Sequence, residues 1–212
     1  ELREEIAQRR QVDSEQVVVT NGAGEANYLA MGRALERDAG SEVVMTDPVY
    51  PYYPGKTNML GGDQVYVETA RDGRLDPADV REVVSEETAC IMATTPNNPT
   101  GAVYGADTVR ELVAIAEDHD ALLVSDEVYD HFDFSGRFTS ALAFDSEHRV
   151  VVNSFSKSLA ITGFRVGYCV APERHVEPMK SRHMLTNVTG PRPSQAAVLH
   201  ALRETDTEYY DT

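Results

Sequence analysis

Lysine is scarce in this chain: Lys56, Lys157 and Lys180 are the only three, against sixteen arginines in 212 residues. Positive charge as a whole is outweighed, with 19 Lys and Arg against 35 Asp and Glu and a formal net charge of −16. Neutralising phosphates takes clustered cations, so the balance argues against nucleic acid as a partner. No apolar run approaches the roughly 20 residues that span a bilayer. The opening ELREEIAQRR is charged and unlike a signal peptide, so a cytoplasmic location away from membranes is expected. Cysteine is also sparse: Cys90 and Cys169, both in apolar runs, read as core thiols of a reducing compartment. The six histidines form no metal-binding spacing, so no metal site is expected.

The acid is spread along the chain (REEI, ERD, SEE, EDHD) rather than gathered in a tail. Such a surface is solvated and self-repelling. Scarce lysine beside abundant Asp and Glu resembles proteins of salt-loving organisms.

Short β-branched runs alternate with longer helical patterns. Strands are expected at 16–20, 42–46, 64–68, 89–94, 121–125, 150–154 and 166–170, with helices at 25–37, 76–86 and 107–120. In the last of these, Val109, Leu112, Val113 and Ala116 recur at helical spacing and Asp107 can cap the start. The pattern predicts an α/β fold around a buried, mostly parallel sheet. No linker or repeat divides residues 1–212, which read as one domain. A further helix is expected from about Ser194, and the chain then ends as though cut.

In such sheets, ligands gather beyond the carboxyl ends of the strands. The polar motifs fall there: NGAGE, DPVYPYY, TTPNNPTG, SDEVYDHF and NSFSKS each follow a strand. One site assembled from five distant turns is the prediction. Gly22-Ala23-Gly24 opens a helix, where backbone N–H groups attract phosphate. Asn27 occupies the third position of a G-x-G-x-x-G dinucleotide pattern, so that match fails. Pro96 to Gly101 is a constrained turn that can hold an amide firmly; the bland alternative is a structural turn. Asp126 ends a buried strand, where a carboxylate needs a partner such as a cationic ring nitrogen. Tyr129 follows three residues on. The bland alternative has Asp126 capping a loop and Glu127 in solvent. Ser154, Ser156 and Arg165 suit a phosphate. Lys157, partly buried beside cations, suits attack on a carbonyl as a neutral amine. A basic surface turn fits poorly with the apolar flanks of FSKSLAITGF.

Taken in order, DPVYPYYPG, TTPNNPTG, SDEVYDHF and SFSKSLAITGFRVGY resemble the class I/II aminotransferases, fold-type I enzymes that use pyridoxal 5′-phosphate. The resemblance spans about half the chain and implies a large domain with a mostly parallel seven-stranded sheet, helices on both faces and an antiparallel last strand. It implies that Lys157 binds the cofactor aldehyde and moves a proton at the substrate α-carbon. Asp126 is implied to pair with the ring nitrogen, with Tyr129 and Asn98 on the ring oxygen and Tyr50 over the ring face. Arg165, Ser154, Ser156 and the amides of Ala23 and Gly24 are implied to hold the phosphate. Lysine rather than arginine at 157 then follows, because a guanidinium does not lose its proton to become a nucleophile. Such enzymes transfer an amino group between an amino acid, aspartate or aromatic, and a 2-oxo acid, and work as homodimers.

The resemblance also implies that an N-terminal arm and a C-terminal small domain lie outside this chain. The arginine for the substrate α-carboxylate belongs to that small domain. Three rival readings remain: a carbon–sulfur β-lyase with the same cofactor, a non-catalytic binding module, and a nucleotide-binding Rossmann protein. Screening of the acidic surface predicts that the unfolding temperature rises between dilute buffer and molar salt. A calorimetric scan that stays flat or falls would remove the salt-adaptation reading.

Overall fold

The computed structural model describes residues 1–205 and 209. Seven strands form one sheet: β1 (Val17–Thr20), β2 (Glu42–Asp47), β3 (Asp63–Glu68), β4 (Thr88–Thr94), β5 (Leu122–Asp126), β6 (Arg149–Ser154) and β7 (Gly167–Val170). Their spatial order is β1-β7-β6-β5-β4-β2-β3. Neighbours from β6 through to β3 run parallel, while β7 is antiparallel to both β6 and β1. The seven expected strands are all present, within a residue or two at each end, and the antiparallel member is the expected one. Eight helices complete the described fold: α1 (Leu2–Arg10), α2 (Ala23–Leu35), α3 (Tyr52–Met59), α4 (Pro77–Val83), α5 (Ala106–Asp118), α6 (Phe155–Ser158), α7 (Glu173–Asn187) and α8 (Arg192–Glu204). The helix expected from Ser194 is α8, and the residues after 205, except 209, lie outside the described part.

The pleat divides the core in two. Alternate side chains of a strand face opposite sides of a sheet. In β4, Ile91 and Ala93 face one cluster, shared with Leu112 and Ala116 of α5, while Cys90 and Met92 face the other, shared with Leu29 and Met31 of α2. Leu122 and Leu123 of β5 are likewise consecutive, almost wholly buried, and in opposite clusters. Burying each such leucine contributes on the order of 2 kcal/mol. A strand buried on both faces reads as an unbroken apolar run, which is why β4 to β6 are plain in the sequence.

Helices α1, α3, α6 and α7 were not expected from periodicity. In α3 (YYPGKTNM) only Tyr53 and Thr57 are buried, and Pro54 and Gly55 conceal the pattern. In α7 Pro178 lies inside the helix, and only His175, Val176 and Met179 are buried. Tertiary packing rather than propensity forms these segments.

One close approach shapes the sheet edge that matters. A Cβ at Gly167 would sit 2.6 Å from the carbonyl carbon of Gly22 and 2.8 Å from the nitrogen of Ala23. The start of β7 therefore presses directly on the turn that opens α2. Backbone cannot swing aside as a side chain can. Gly167→Ala is predicted to destabilise the fold by about 1–3 kcal/mol, the usual cost of overpacking. Urea titration of the variant checks this, and an unchanged midpoint would contradict it.

Candidate active site

The strand–helix turns meet as the motifs imply. A cavity of about 460 Å³ lies beyond the carboxyl ends of the parallel strands, a volume within the usual range for small-ligand sites. All ten residues singled out from the sequence line it: Ala23 and Gly24 from α2, Tyr50 before α3, Asn98 after β4, Asp126 and Tyr129 at and after β5, and Ser154, Ser156, Lys157 and Arg165 around α6. They come from turns up to 142 residues apart (165 − 23). Four charged groups line this cavity: Lys56, Asp126, Lys157 and Arg165.

One end gathers hydrogen-bond donors and positive charge. Helix α2 begins at Ala23, after Gly22 in a positive-φ conformation (φ 78°). A Cβ at Gly22 would meet Nη2 of Arg165 at 2.4 Å, so only glycine lets the guanidinium lie against this turn. Arg165 donates from Nη2 to the Asn21 carbonyl (3.2 Å) and from Nη1 to the Thr162 carbonyl (2.7 Å). Its hydrogen-bond partners among the described residues are these two backbone carbonyls. The helix N-terminus, the guanidinium and the buried Ser154 and Ser156 together supply donors and positive charge at one place.

The other end is built around a buried carboxylate. Asp126 is only 3% exposed. Its Oδ2 accepts from Nδ2 of Asn27 (2.7 Å) and from the hydroxyl of Tyr53 (2.6 Å), and its Oδ1 accepts from the Val128 N–H at 3.3 Å. Tyr53 is in turn linked to the Thr94 hydroxyl at 2.9 Å. Burial pushes the Asp126 carboxyl above the usual range, while the donors from Tyr53, Asn27 and Val128, and the charge of Lys56, pull it back. Burial beside this carboxylate also raises the Tyr53 phenol well above its ordinary value.

Between these ends, Asn98 donates to the Tyr129 hydroxyl at 3.4 Å, and Lys157 Nζ lies 5.5 Å from the Tyr129 ring centre. The turn carrying Asn98 is held by Asn97, whose Oδ1 accepts from the hydroxyl (2.9 Å) and N–H (3.2 Å) of Thr100. Tyr50 meets Tyr52 and Tyr53 edge-on, with ring centres 5.2 and 5.3 Å apart.

One expectation needs correction, and one bland alternative fails. Lys157 is exposed, not partly buried: its flanks Phe155 and Leu159 turn into the core while its own side chain opens to the cavity. Glu127 is not solvated but fully buried. The pleat sends it to the face opposite Asp126, where it accepts from the Ser125 and Ser140 hydroxyls (3.0 and 2.7 Å) and the Ala141 N–H (2.9 Å). Sequence reasoning also missed Asn27, Tyr53, Thr94 and Lys56 at the cavity. A clue existed for Lys56, the second of three lysines to fall beside a motif. Asn27 and Tyr53 announce themselves only once α2 and α3 are docked on β5.

Comparison with known proteins shows the family of the chain. Residues 1–211 match the family described as aminotransferase class I and II. The aspartate/prephenate aminotransferase of Thermus thermophilus is 35% identical over 210 residues, covering 95% of this chain and 54% of that protein. The aspartate aminotransferase of Thermotoga maritima is also 35% identical, over 99% of this chain and 57% of its own length. The Thermus thermophilus enzyme solved with maleate superposes with a TM-score of 0.90 at 34% identity, over 99% of this chain and 56% of that one. The Escherichia coli protein YbdL, described with a methionine aminotransferase function, gives 0.90 at 32% identity. The chain belongs to the class I and II aminotransferase family. It spans about half the length of the curated relatives it matches.

Burial pushes the Glu127 carboxyl up to about 7. A folded-state value above the unfolded one means that the folded chain holds the proton more tightly. Stability from this group is therefore present at low pH and is lost as pH rises from about 4.5 to about 7. Glu127→Gln keeps the shape without the charge. Denaturation across that window should show the variant gaining on the wild type as pH rises, then a constant difference; parallel curves would contradict the assignment.

Proposed function

We propose that the chain is the cofactor-binding domain of a pyridoxal 5′-phosphate-dependent aminotransferase, which moves an amino group between an amino acid and a 2-oxo acid. The observation that supports it best is one cavity with an anion cradle at one end, a buried carboxylate at the other and an exposed lysine between them. The cofactor fits this donor set. Arg165, Ser154, Ser156 and the Ala23 and Gly24 amides would take its phosphate, Asp126 its ring nitrogen, Tyr129 and Asn98 its ring oxygen, and Tyr50 a ring face. Bound there, the cofactor supplies an aldehyde and an electron-accepting ring.

The protein groups have separate tasks. The Lys157 amine would hold the cofactor by its aldehyde and would serve as the base that takes and returns a proton at the substrate α-carbon. Asp126, kept unprotonated, would hold a proton on the ring nitrogen. The Arg165 cradle fixes the position of the whole group, so the amine and the α-carbon meet in one orientation.

Names of relatives support an amino-acid substrate, and those of the Thermus and Thermotoga enzymes favour aspartate. YbdL shows that the same fold accompanies a methionine aminotransferase function, so the fold does not select the side chain. The intact enzyme is proposed to be a cytoplasmic homodimer. Exposed Met184, Leu185 and Val188, at the end of α7, offer apolar surface for such an interface. No helix among the described residues is long and apolar enough to cross a membrane.

Borohydride reduction in the presence of pyridoxal 5′-phosphate, followed by peptide mapping, tests the reading. The label is expected on Lys157 and is expected to vanish in Lys157→Ala. A label on Lys56 instead, or undiminished labelling of the variant, would overturn the assignment. With the intact enzyme, a 2-oxo acid and a new amino acid are the expected products. Pyruvate with ammonia would point to the β-lyase reading.

A further inference from the structure

Asn27 is the least explained polar residue at this site. It lies on the second turn of α2, among Ala26, Leu29 and Ala30, all of them fully buried, and is itself 2% exposed. An apolar side chain would satisfy that packing. Its amide instead makes one bond, from Nδ2 to Asp126 Oδ2 at 2.7 Å. Its carbonyl oxygen Oδ1 is buried with no hydrogen-bond partner among the described residues. A buried acceptor without a donor is unfavourable to folding. The residue therefore weakens the fold locally and gives only the contact with Asp126 in return.

That contact has a definite consequence. Oδ2 of Asp126 receives two donors, Asn27 and Tyr53, while Oδ1 has a single long backbone bond of 3.3 Å. Oδ2 is thus occupied, and Oδ1 is the atom with capacity for a donor in the cavity. Donors to a carboxylate also favour its ionised form against the penalty of burial.

We propose that Asn27 is a positioning residue for Asp126: its amide ties down Oδ2, reserves Oδ1 for a donor in the cavity, and keeps the buried side chain a carboxylate. Its use, to hold a proton on a cofactor ring nitrogen, rests on the proposed function; its effect on Asp126 does not. The other groups around Asp126 are known. Tyr50, Tyr53 and Lys56 approach from in and before α3, Cys169 from β7, and Lys157 lines the same cavity. Glu127, next in the chain, faces the opposite side of the sheet. Lys56 is a cation whose charge lowers the Asp126 carboxyl, and substitutions at Asn27 leave that residue in place.

The test is a titration of the cofactor-free chain labelled with aspartate carrying 13C at the side-chain carboxyl, the Asp126 signal being assigned by its absence in Asp126→Asn. Asn27→Leu and Asn27→Ala both remove the donor. Each is expected to raise the Asp126 midpoint by about one pH unit, a tenfold weaker acid, while surface aspartates titrate as before. Asn27→Leu should also melt no lower than the wild type at neutral pH, because the orphaned acceptor is gone. Should leucine not fold at this position, alanine, which helices tolerate best, carries the test alone. An Asp126 midpoint unmoved by loss of the donor overturns the proposal. A shifted midpoint in a chain that fails to bind pyridoxal 5′-phosphate supports the positioning role and overturns only the functional reading.

Discussion

A carboxylate buried at the end of a strand is the constraint on which the rest of this site depends. Asp126 is costly where it stands, and burial pushes its carboxyl above the usual range. Three donors from α2, α3 and its own turn, with the charge of Lys56, offset that tendency. Those partners lie on elements whose order in the chain is unrelated to their place around the carboxylate. Docking α2 and α3 on one face of β5 is therefore both a packing event and an electrostatic one. If either helix shifted, the carboxylate would lose donors along with apolar contact.

The pleat of β5 extends that logic by one residue. Asp126 turns toward α2 and the cavity, while Glu127 turns to the other face, beneath the segment at Ser140 and Ala141. One acid faces the cavity and its neighbour anchors the chain that returns from it. Asn153 of β6 joins the same anchor, donating to the Glu127 carbonyl and to Asp130 at 2.9 Å each. Adjacent residues of one type thus have unlike roles, set by which face each meets.

Much of this was legible in the sequence because strands buried on both faces leave uninterrupted apolar runs, and the turns after them keep unusual polar motifs. The strands, the antiparallel β7 and the ten cavity residues follow from those two signals and from the family resemblance. What escaped was of another kind. Helices α3 and α7 contain prolines and bury few side chains, so they have little periodicity to read. Asn27 and Tyr53 matter through an oxygen 99 and 73 residues away, and no local pattern encodes such a contact. Lys157 was expected to be partly buried because its neighbours are apolar, yet those neighbours turn inward and leave it exposed. The bland alternative that left Glu127 in solvent fails because two serines and a backbone amide satisfy its buried carboxylate.

The account's central claim is that Asp126, held as a carboxylate, keeps a proton on the nitrogen of a ring bound beside it. Nitrogen-15 NMR of pyridoxal 5′-phosphate labelled at the ring nitrogen, bound to this chain in molar salt, addresses that claim directly. The account predicts the chemical shift of a protonated ring nitrogen at neutral pH and above, moved to that of a neutral pyridine in Asp126→Asn. A neutral-pyridine shift in the wild type would contradict it.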